Sequence, residues 1–513
     1  MSADPTNRSL WIETTPATSY RALSGKPSFD VIVLGGGITG LTTAYLLKRE
    51  GLRVAVLEMD RVATGVTGYT TAKVTALHGL IYADLIDRHG EDRAEAYAAA
   101  NLSAVERIAD IADEEAIGCD LDRLDAYTYA ETDAGADAVR REAEACASLG
   151  LKAELVTETP LPFDVIVALR LTDQAAFHPR KYCLGLAKAI HGAKGRIYER
   201  TRVLEVEEKK RVCHVKTERG TLSAAHVVVA THLPFMGEGR FYAKTYPLRS
   251  YALAIPTKGE RLDGMFLNAE EPVRSVRPFT SGRRRGVIVG GENHKVGQEI
   301  DTRARYQALE AWASERFGSV AVDHRWSAQD YFGVDGIPYV GRLTRENERV
   351  FVATGFRKWG MTNGTAAAMM ITDAIVGREN PWATAFDATR IRPKQAAKDF
   401  IKEGVDVAAH LYGGKLAPKY RSVNDLAPGA AGLCDLEGET VAAFRDESGR
   451  VHAVSPDCTH MGCRLAWNMA ELSWDCPCHG SRFDPDGHVL HGPANQDLER
   501  KRVPAARRSQ RVS

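Results

Sequence analysis

The chain has 513 residues, 44% hydrophobic and 26% charged, with 67 basic and 67 acidic side chains. That length exceeds a single core and implies two to four domains. The balanced charge removes any global argument for nucleic acid or an anionic membrane surface, and no apolar run reaches the ~18 residues of a membrane span.

Residues 1–28 carry Pro, Ser and Thr with little periodicity, and Leu10-Trp11-Ile12 reads as a strap that packs onto the body. There is neither a basic segment followed by an apolar one nor a twin arginine, so the expected compartment is the cytoplasm. Phe29-Asp30-Val31-Ile32-Val33-Leu34 has strand character, Gly35-Gly36-Gly37-Ile38-Thr39-Gly40 follows, and a helical pattern runs to Gly51. Val54–Leu57 is a second buried strand, closed by Glu58. A glycine turn between strand and helix, with an acid eighteen residues past its last glycine, is a dinucleotide-binding arrangement. Gly35, Gly37, Ile38, Thr39 and Gly40 would face a pyrophosphate at the helix N-terminus. Glu58 would bind adenosine ribose hydroxyls, and its charge argues against the 2′-phosphate of NADP.

The stretch from Arg61 to Lys73 is small and rich in hydroxyls, suited to wrap a cofactor past its pyrophosphate through Thr64, Gly68, Thr71 and Lys73. Residues 81–150 read as charged amphipathic helices and residues 246–300 as strands. Val350–Phe356 is a strand running into Gly355, and Arg357-Lys358-Trp359-Gly360-Met361-Thr362 leads into a helix of small residues. Phe177-His178-Pro179, Arg202-Val203, Val227-Val228-Val229-Ala230-Thr231, Trp326 and Asp335–Gly341 complete the pattern. From residue 29 to 385 these segments resemble the FAD-dependent oxidoreductases of the D-amino-acid oxidase and glycine oxidase family. The resemblance implies FAD, with Val203, Ala230, Gly355, Gly360, Met361 and Thr362 among its contacts, and an antiparallel sheet over the flavin from segments near 81–165 and 246–325. His232 departs from it, since the family often has Gly there. Arg249 and Tyr251 on a roof strand, Arg357 or Lys358 in the turn, and Lys73, within reach of flavin N5 or the pyrimidine edge, are the candidate substrate and flavin contacts. His78 reads as a satisfied structural histidine.

Residues 386–420 read as a linker, with helical spacing from Pro393 to Leu411. Beyond it stand Cys458-Thr459-His460-Met461-Gly462-Cys463 and Cys476-Pro477-Cys478-His479-Gly480-Ser481. Two thiolates and two imidazoles suit a [2Fe–2S] cluster with one iron held by Cys458 and Cys476 and the other by His460 and His479. The same residue types also serve structural zinc. The two motifs resemble the Rieske family over residues 421–513. That resemblance implies a Cys463–Cys478 disulfide, a proline loop over the cluster at Gly492-Pro493-Ala494, and a hydroxyl donor to a cluster sulfur in Ser481. Phe483 stands where high-potential members carry a tyrosine, so a lower potential is expected. Cys119, Cys146, Cys183 and Cys213 are scattered and read as buried thiols.

The expected fold is an α/β doubly wound FAD-binding domain with an α+β antiparallel-sheet substrate domain, plus a small all-β Rieske domain. The expected function is oxidation of a small amine or amino acid at FAD. Electrons would leave singly through the [2Fe–2S] cluster to an external acceptor, a protein or a quinone. The C–N preference is implied by the resemblance alone. Two alternatives stand beside it: an NAD(P)H-driven reductase feeding a partner through the cluster, and a non-catalytic redox carrier or sensor. A Rieske oxygenase is excluded, because only 34 residues follow His479 and leave no room for a mononuclear iron domain.

Overall fold

The computed structural model describes residues 8–258, 260–282, 284–299, 301–318, 321–390 and 418–504. The expected helix Pro393–Leu411 lies outside them. The described residues fall into two compact units, one running to His294 and from Arg303 to 390, the other comprising Lys295–Thr302 and the residues from 418 onward.

The larger unit is built on two sheets. In the first, Gly195–Tyr198, Val54–Leu57, Ser28–Leu34, Gly220–Val229 and Val350–Thr354 lie side by side in parallel, and Tyr339–Arg342 is antiparallel at one edge. Parallel strands buried on both faces read as continuous apolar runs, and the pleat divides these runs between two cores. Val31, Val33, Val54 and Val56 pack under the helices; Ile32, Leu34, Ala55 and Leu57 pack with Val215, Leu222 and Tyr339 on the opposite side. That opposite side is covered by the hairpin Val203–Lys209/Val212–Thr217, which extends from the strand Gly220–Val229.

The second sheet has nine strands and supplies the roof. At one end Thr245–Pro256 pairs antiparallel with His324–Gly333, and next come Arg284–Lys295, Arg274–Ser281 and Met265–Asn268. The sequence reading of 81–150 as helices needs one correction. Helices Tyr82–His89, Glu91–Glu114 and Asp133–Ser148 are present, but Asp122–Ala130 is a strand of the roof sheet. Tyr127-Thr128-Tyr129, β-formers in a row, pair with Val167–Ala176 on one side and Met265–Asn268 on the other.

The N-terminal segment packs on this unit. Ser9 caps the short helix Leu10–Glu13, and Leu10 and Trp11 are buried. Arg180 donates to Thr15 and to the Pro16 carbonyl, and Glu199 accepts from Thr18 and from the Tyr20 amide.

The smaller unit is all-β. Lys419–Tyr420, Ala431–Leu436, Glu439–Arg445 and Val451–Val454 form one sheet; Ala466–Asn468, Ser473–Asp475, Arg482–Phe483 and Val489–His491 form the other. Phe444, Trp467, Trp474 and Phe483 fill its core with Cys458, Cys463, Cys476 and Cys478. Among the described residues no helix is long and apolar enough to cross a membrane.

Candidate functional site

The glycine turn follows the strand Ser28–Leu34 and opens the helix Ile38–Arg49. Gly35 has φ +105°, and a Cβ there would sit 2.4 Å from the Ala230 carbonyl oxygen. A Cβ on Gly40 would lie 2.0 Å from the Gly35 oxygen. The turn is therefore as tight as protein atoms allow, and only glycine fits it. Glu58 accepts from the Gly36 and Asp60 amides at 2.7 and 2.9 Å. Burial raises its pKa, and those two amides pull the other way. Thr67 Oγ1 accepts from the Ile38 amide at 3.1 Å, which brings the loop after Glu58 to the same helix start. Thr39, on the first turn, lies where a Cβ at Gly364 would meet its Oγ1 at 2.4 Å, so the helices Ile38–Arg49 and Gly360–Val376 cross in close contact. Thus Gly35, Gly37, Ile38, Thr39, Gly40, Glu58, Gly68, Ala230 and the helix bearing Met361 and Thr362 meet outside the carboxyl ends of parallel strands, where such folds bind ligands. The cradle fits a dinucleotide: tight glycines, helix amides and an acid beside the second strand. Val203 contributes its side chain to the core, and Thr64 turns its hydroxyl to Asp60 and the Arg61 carbonyl.

The loop continuing to Lys73 is held by its carbonyls. Trp326 Nε1 donates to Tyr69 O at 2.8 Å, Trp11 Nε1 to Thr70 O at 2.7 Å, and Arg277 to Thr71 O and Ala72 O at 3.2 and 2.8 Å. Lys73, expected within reach of the flavin, is buried, and its Nζ donates to the Phe266 carbonyl.

The roof separates the other candidates. In the pair Thr245–Pro256/His324–Gly333, Arg249 stands opposite Gln329 and Tyr251 opposite Ser327, so all four share one face. Arg249 is fully buried and donates to Ser327 and Gln329; Tyr251 packs on Tyr306 of the helix Thr302–Phe317 and bonds His294 at 2.9 Å. The pleat puts Asp330, opposite Leu248, on the other face. It accepts from the Lys358 amide at 2.6 Å and the Tyr331 amide at 2.7 Å, and His232 Nε2 lies 2.9 Å away. Lys358 donates to Asn293 and lies over Phe332 at 5.9 Å, with Arg357 over the same ring at 5.6 Å. Burial lowers the Lys358 pKa to about 8, with Asp330 and Glu271 opposing. Arg357 and Lys358 both have positive φ, +52° and +70°, a costly backbone for two successive side chains. Arg357 and Lys358 thus share one neighbourhood with Asp330, Asn293 and His232, and Arg249 and Tyr251 lie on the opposite face of the strand pair. Sequence reading passed over Asp330, an acid in an otherwise buried strand between Trp326 and Gly333.

His78 sits at the start of the helix Gly360–Val376. Its Nε2 meets the Thr75 carbonyl at 2.7 Å, its Nδ1 meets Tyr97 Oη at 2.6 Å, and its ring stacks on Trp359 at 4.4 Å. A carbonyl only accepts, so Nε2 carries the hydrogen and Nδ1 accepts from Tyr97. Tyr97 in turn accepts from Asn363 at 3.2 Å. Burial lowers the His78 pKa to about 3, while the unfolded chain titrates near 6.5. The unfolded state therefore binds the extra proton between those values, and stability present above pH 6.5 is lost as pH falls. We expect His78 to account for about 2–3 kcal/mol of stability lost between pH 7 and 4.5. Denaturant titrations of wild type and His78→Gln at both pH values check this; equal losses would contradict it.

In the smaller unit two loops face each other. Cys458 O accepts from Gly462 N at 2.8 Å and Cys476 O from Gly480 N at 3.0 Å, so each loop closes in a single helical turn around its ligands, with Gly462 and Gly480 at positive φ. The thiol of Cys476 bonds Cys458 and lowers its pKa, against burial and with help from the His460 and Met461 amides and Ser481. The His460 and His479 rings are 5.1 Å apart. Burial lowers both histidines, to about 3 for His479, and keeps them in the neutral form that ligates iron. Cys463 and Cys478 are disulfide-bonded, with Cα atoms 6.4 Å apart. Ser481 Oγ accepts from Ala494 N at 3.0 Å, tying the Gly492-Pro493-Ala494 loop to the site. Two cysteines are spent on the disulfide, so the free donor set is two sulfurs and two imidazoles, which fits a [2Fe–2S] cluster of the Rieske kind.

Comparison with known proteins identifies the families of both domains. Residues 30–374 match the family described as FAD dependent oxidoreductase, and residues 418–502 match the Rieske [2Fe-2S] domain. The chain is 37% identical over 490 residues to the putative Rieske 2Fe-2S iron-sulfur protein YhfW of Bacillus subtilis, covering 95% of this chain and 96% of that protein. It is 24% identical to the glycine oxidase of Bacillus subtilis over 392 residues, 73% of this chain and 100% of that one. The crystal structure of glycine oxidase from Geobacillus kaustophilus superposes with a TM-score of 0.61 at 18% identity, over 72% of this chain and 100% of that chain. The chain therefore belongs to the FAD-dependent oxidoreductase family, with FAD as its cofactor there, and carries a Rieske domain that holds a [2Fe–2S] cluster.

Proposed function

We propose that the protein is a dehydrogenase of a small amine or amino acid whose electrons leave one at a time through the cluster to an external one-electron acceptor, a protein or a quinone. The observation that carries this reading is the presence, on one chain, of a dinucleotide cradle and a Cys2His2 cluster site. FAD supplies hydride acceptance and the cluster supplies single-electron transfer. In this reading Gly35, Gly37, Ile38, Thr39 and Gly40 hold the pyrophosphate, and Glu58 holds the ribose. Thr64, Gly68, Thr71, Val203, Ala230, Gly355, Gly360, Met361 and Thr362 border the rest of the cofactor. Asp330, Lys358, Asn293 and Arg357 orient the substrate, an acid and cations on one face of the roof suiting a molecule that carries both charges. Kinship with glycine oxidase supports a C–N bond as the one oxidised. Cys458, Cys476, His460 and His479 hold the cluster. Thr459, Met461 and Gly462 are exposed around His460, which gives an acceptor access to that ligand.

The reductase alternative calls for a second nucleotide-binding turn, and the Gly290-Gly291 pair does not supply one. Gly290 and Gly291 lie inside the antiparallel strand Arg284–Lys295 and pair with Ser275 and Arg274. An anaerobic panel of amines, amino acids, NADH and NADPH tests the reading. Bleaching of the flavin by an amine or amino acid is expected; bleaching by a nicotinamide alone would overturn it.

Phe483 is fully buried beside the cluster loops, with no hydroxyl to offer a sulfur. Hydrogen bonds to the cluster sulfurs stabilise the reduced form. We expect a midpoint in the lower part of the roughly −150 to +300 mV Rieske range, and a rise on Phe483→Tyr, read by EPR-monitored redox titration.

A further inference from the structure

Arg277 and Lys73 are an unusual pair of charges. Both are buried, at 4% and 7% exposure. Arg277 Nε donates to Pro278 O at 2.8 Å, its guanidinium reaches Thr71 O, Ala72 O and Phe177 O, and it lies 5.3 Å over the ring of Trp11. Among the described residues Lys73 bonds only the Phe266 carbonyl. Neither has an acidic partner among the described residues. A buried cation without an acid is costly, and here burial lowers Arg277 to about 9, and burial with Arg277 nearby lowers Lys73 to about 7. A fold that needed only to fix four carbonyls has neutral donors for the purpose: Trp11 and Trp326 do that work for Thr70 and Tyr69 in the same loop. What the indoles do not supply is charge.

We propose that Arg277, seconded by Lys73, is the electrostatic positioning residue of the flavin loop: a fixed positive charge behind Thr71 and Ala72 that stabilises negative charge on the bound isoalloxazine. The charge lies in a water-poor setting, where its field is weakly screened. It would raise the flavin potential and so favour drawing electrons out of the substrate. This inference rests on the FAD assignment above.

Sulfite is the probe. Its sulfur lone pair forms a bond to flavin N5, and the flavin π pair moves toward the N1–C2 carbonyl. The adduct is anionic, and the visible absorbance bleaches without net oxidation or reduction by a third reagent. Titration of the oxidised holoprotein, with the flavin midpoint measured in parallel, is expected to give a sulfite adduct in wild type. Arg277→Lys, which keeps the charge, should retain affinity within a few-fold. Arg277→Met should weaken it by about tenfold or more, the change produced by ~1.4 kcal/mol, with a lower flavin midpoint. Unchanged sulfite affinity in Arg277→Met, or equal weakening in Arg277→Lys, overturns the proposal. Should Arg277→Met fail to fold, Lys73→Met decides by the same readout: weaker sulfite binding supports the electrostatic role, and unchanged binding contradicts it. Protein that purifies without FAD would instead refute the flavin assignment, a distinct failure.

Discussion

Cys476→Ala removes the reduced Rieske EPR signal and the bound iron while the flavin spectrum stays in place. Cys476 is 1% exposed and receives the backbone amides of Cys478 and His479 at its sulfur. It shares one iron with Cys458 in the proposed ligand set. Without it that iron loses one of two thiolates, and a methyl group cannot replace the charge that holds a ferric ion. The expected effect is complete loss of the cluster and of electron delivery to one-electron acceptors. Substrate-driven bleaching of the flavin should persist, because that cradle is built from a different part of the chain. The comparison is Cys463→Ser, which removes the disulfide but no ligand. A disulfide closing a loop of this size contributes about 3 kcal/mol, across a separation of 15 residues. That variant should melt at lower temperature yet retain a cluster as isolated. Iron content and EPR of the two variants separate ligation from bracing; a normal signal in Cys476→Ala would remove this residue from the ligand set.

The second large effect is at the glycine turn. Gly40→Ala places a methyl 2.0 Å from Gly35 O and 3.3 Å from Val33 Cγ1. Neither the backbone oxygen nor the buried valine can yield, so the helix must shift away from the strand. Overpacking of this kind costs about 1–3 kcal/mol, and the displaced helix amides no longer converge on a phosphate. We expect protein largely free of FAD, with affinity reduced roughly 100-fold, which corresponds to ~2.7 kcal/mol. Gly118→Ala is the control, since a Cβ there meets nothing within 4 Å. Flavin content and fluorescence-monitored FAD titration of the two variants make the comparison.

Features written in consecutive residues were legible before the structure. A strand, glycine turn, helix and terminal acid are all set by neighbours in sequence, and so is the pair of Cys/His loops around Gly462 and Gly480. The disulfide followed from likeness to a family rather than from spacing. What escaped was set by register and by long-range pairing. Arg249 and Tyr251 lie on a roof strand as expected, but which face they occupy depends on pairing with Gln329 and Ser327, about eighty residues away. A shift of one residue would have exchanged the faces. The constellation at Asp330 joins His232 from 98 residues upstream and Lys358 from 28 downstream, and no local pattern announces it. The strand Asp122–Ala130 was hidden for a related reason: charged residues around it mimic a helical surface, and its partners lie elsewhere in the chain.

The measurement that tests the account most directly is rapid-mixing of the oxidised protein with an amine or amino acid that bleaches its flavin, sampled by absorbance and by freeze-quenched EPR under anaerobic conditions. The account predicts flavin bleaching first, then a reduced Rieske signal that grows at the flavin's expense and disappears when a one-electron acceptor is added. Flavin that bleaches while the cluster stays oxidised throughout turnover would contradict the proposed electron route.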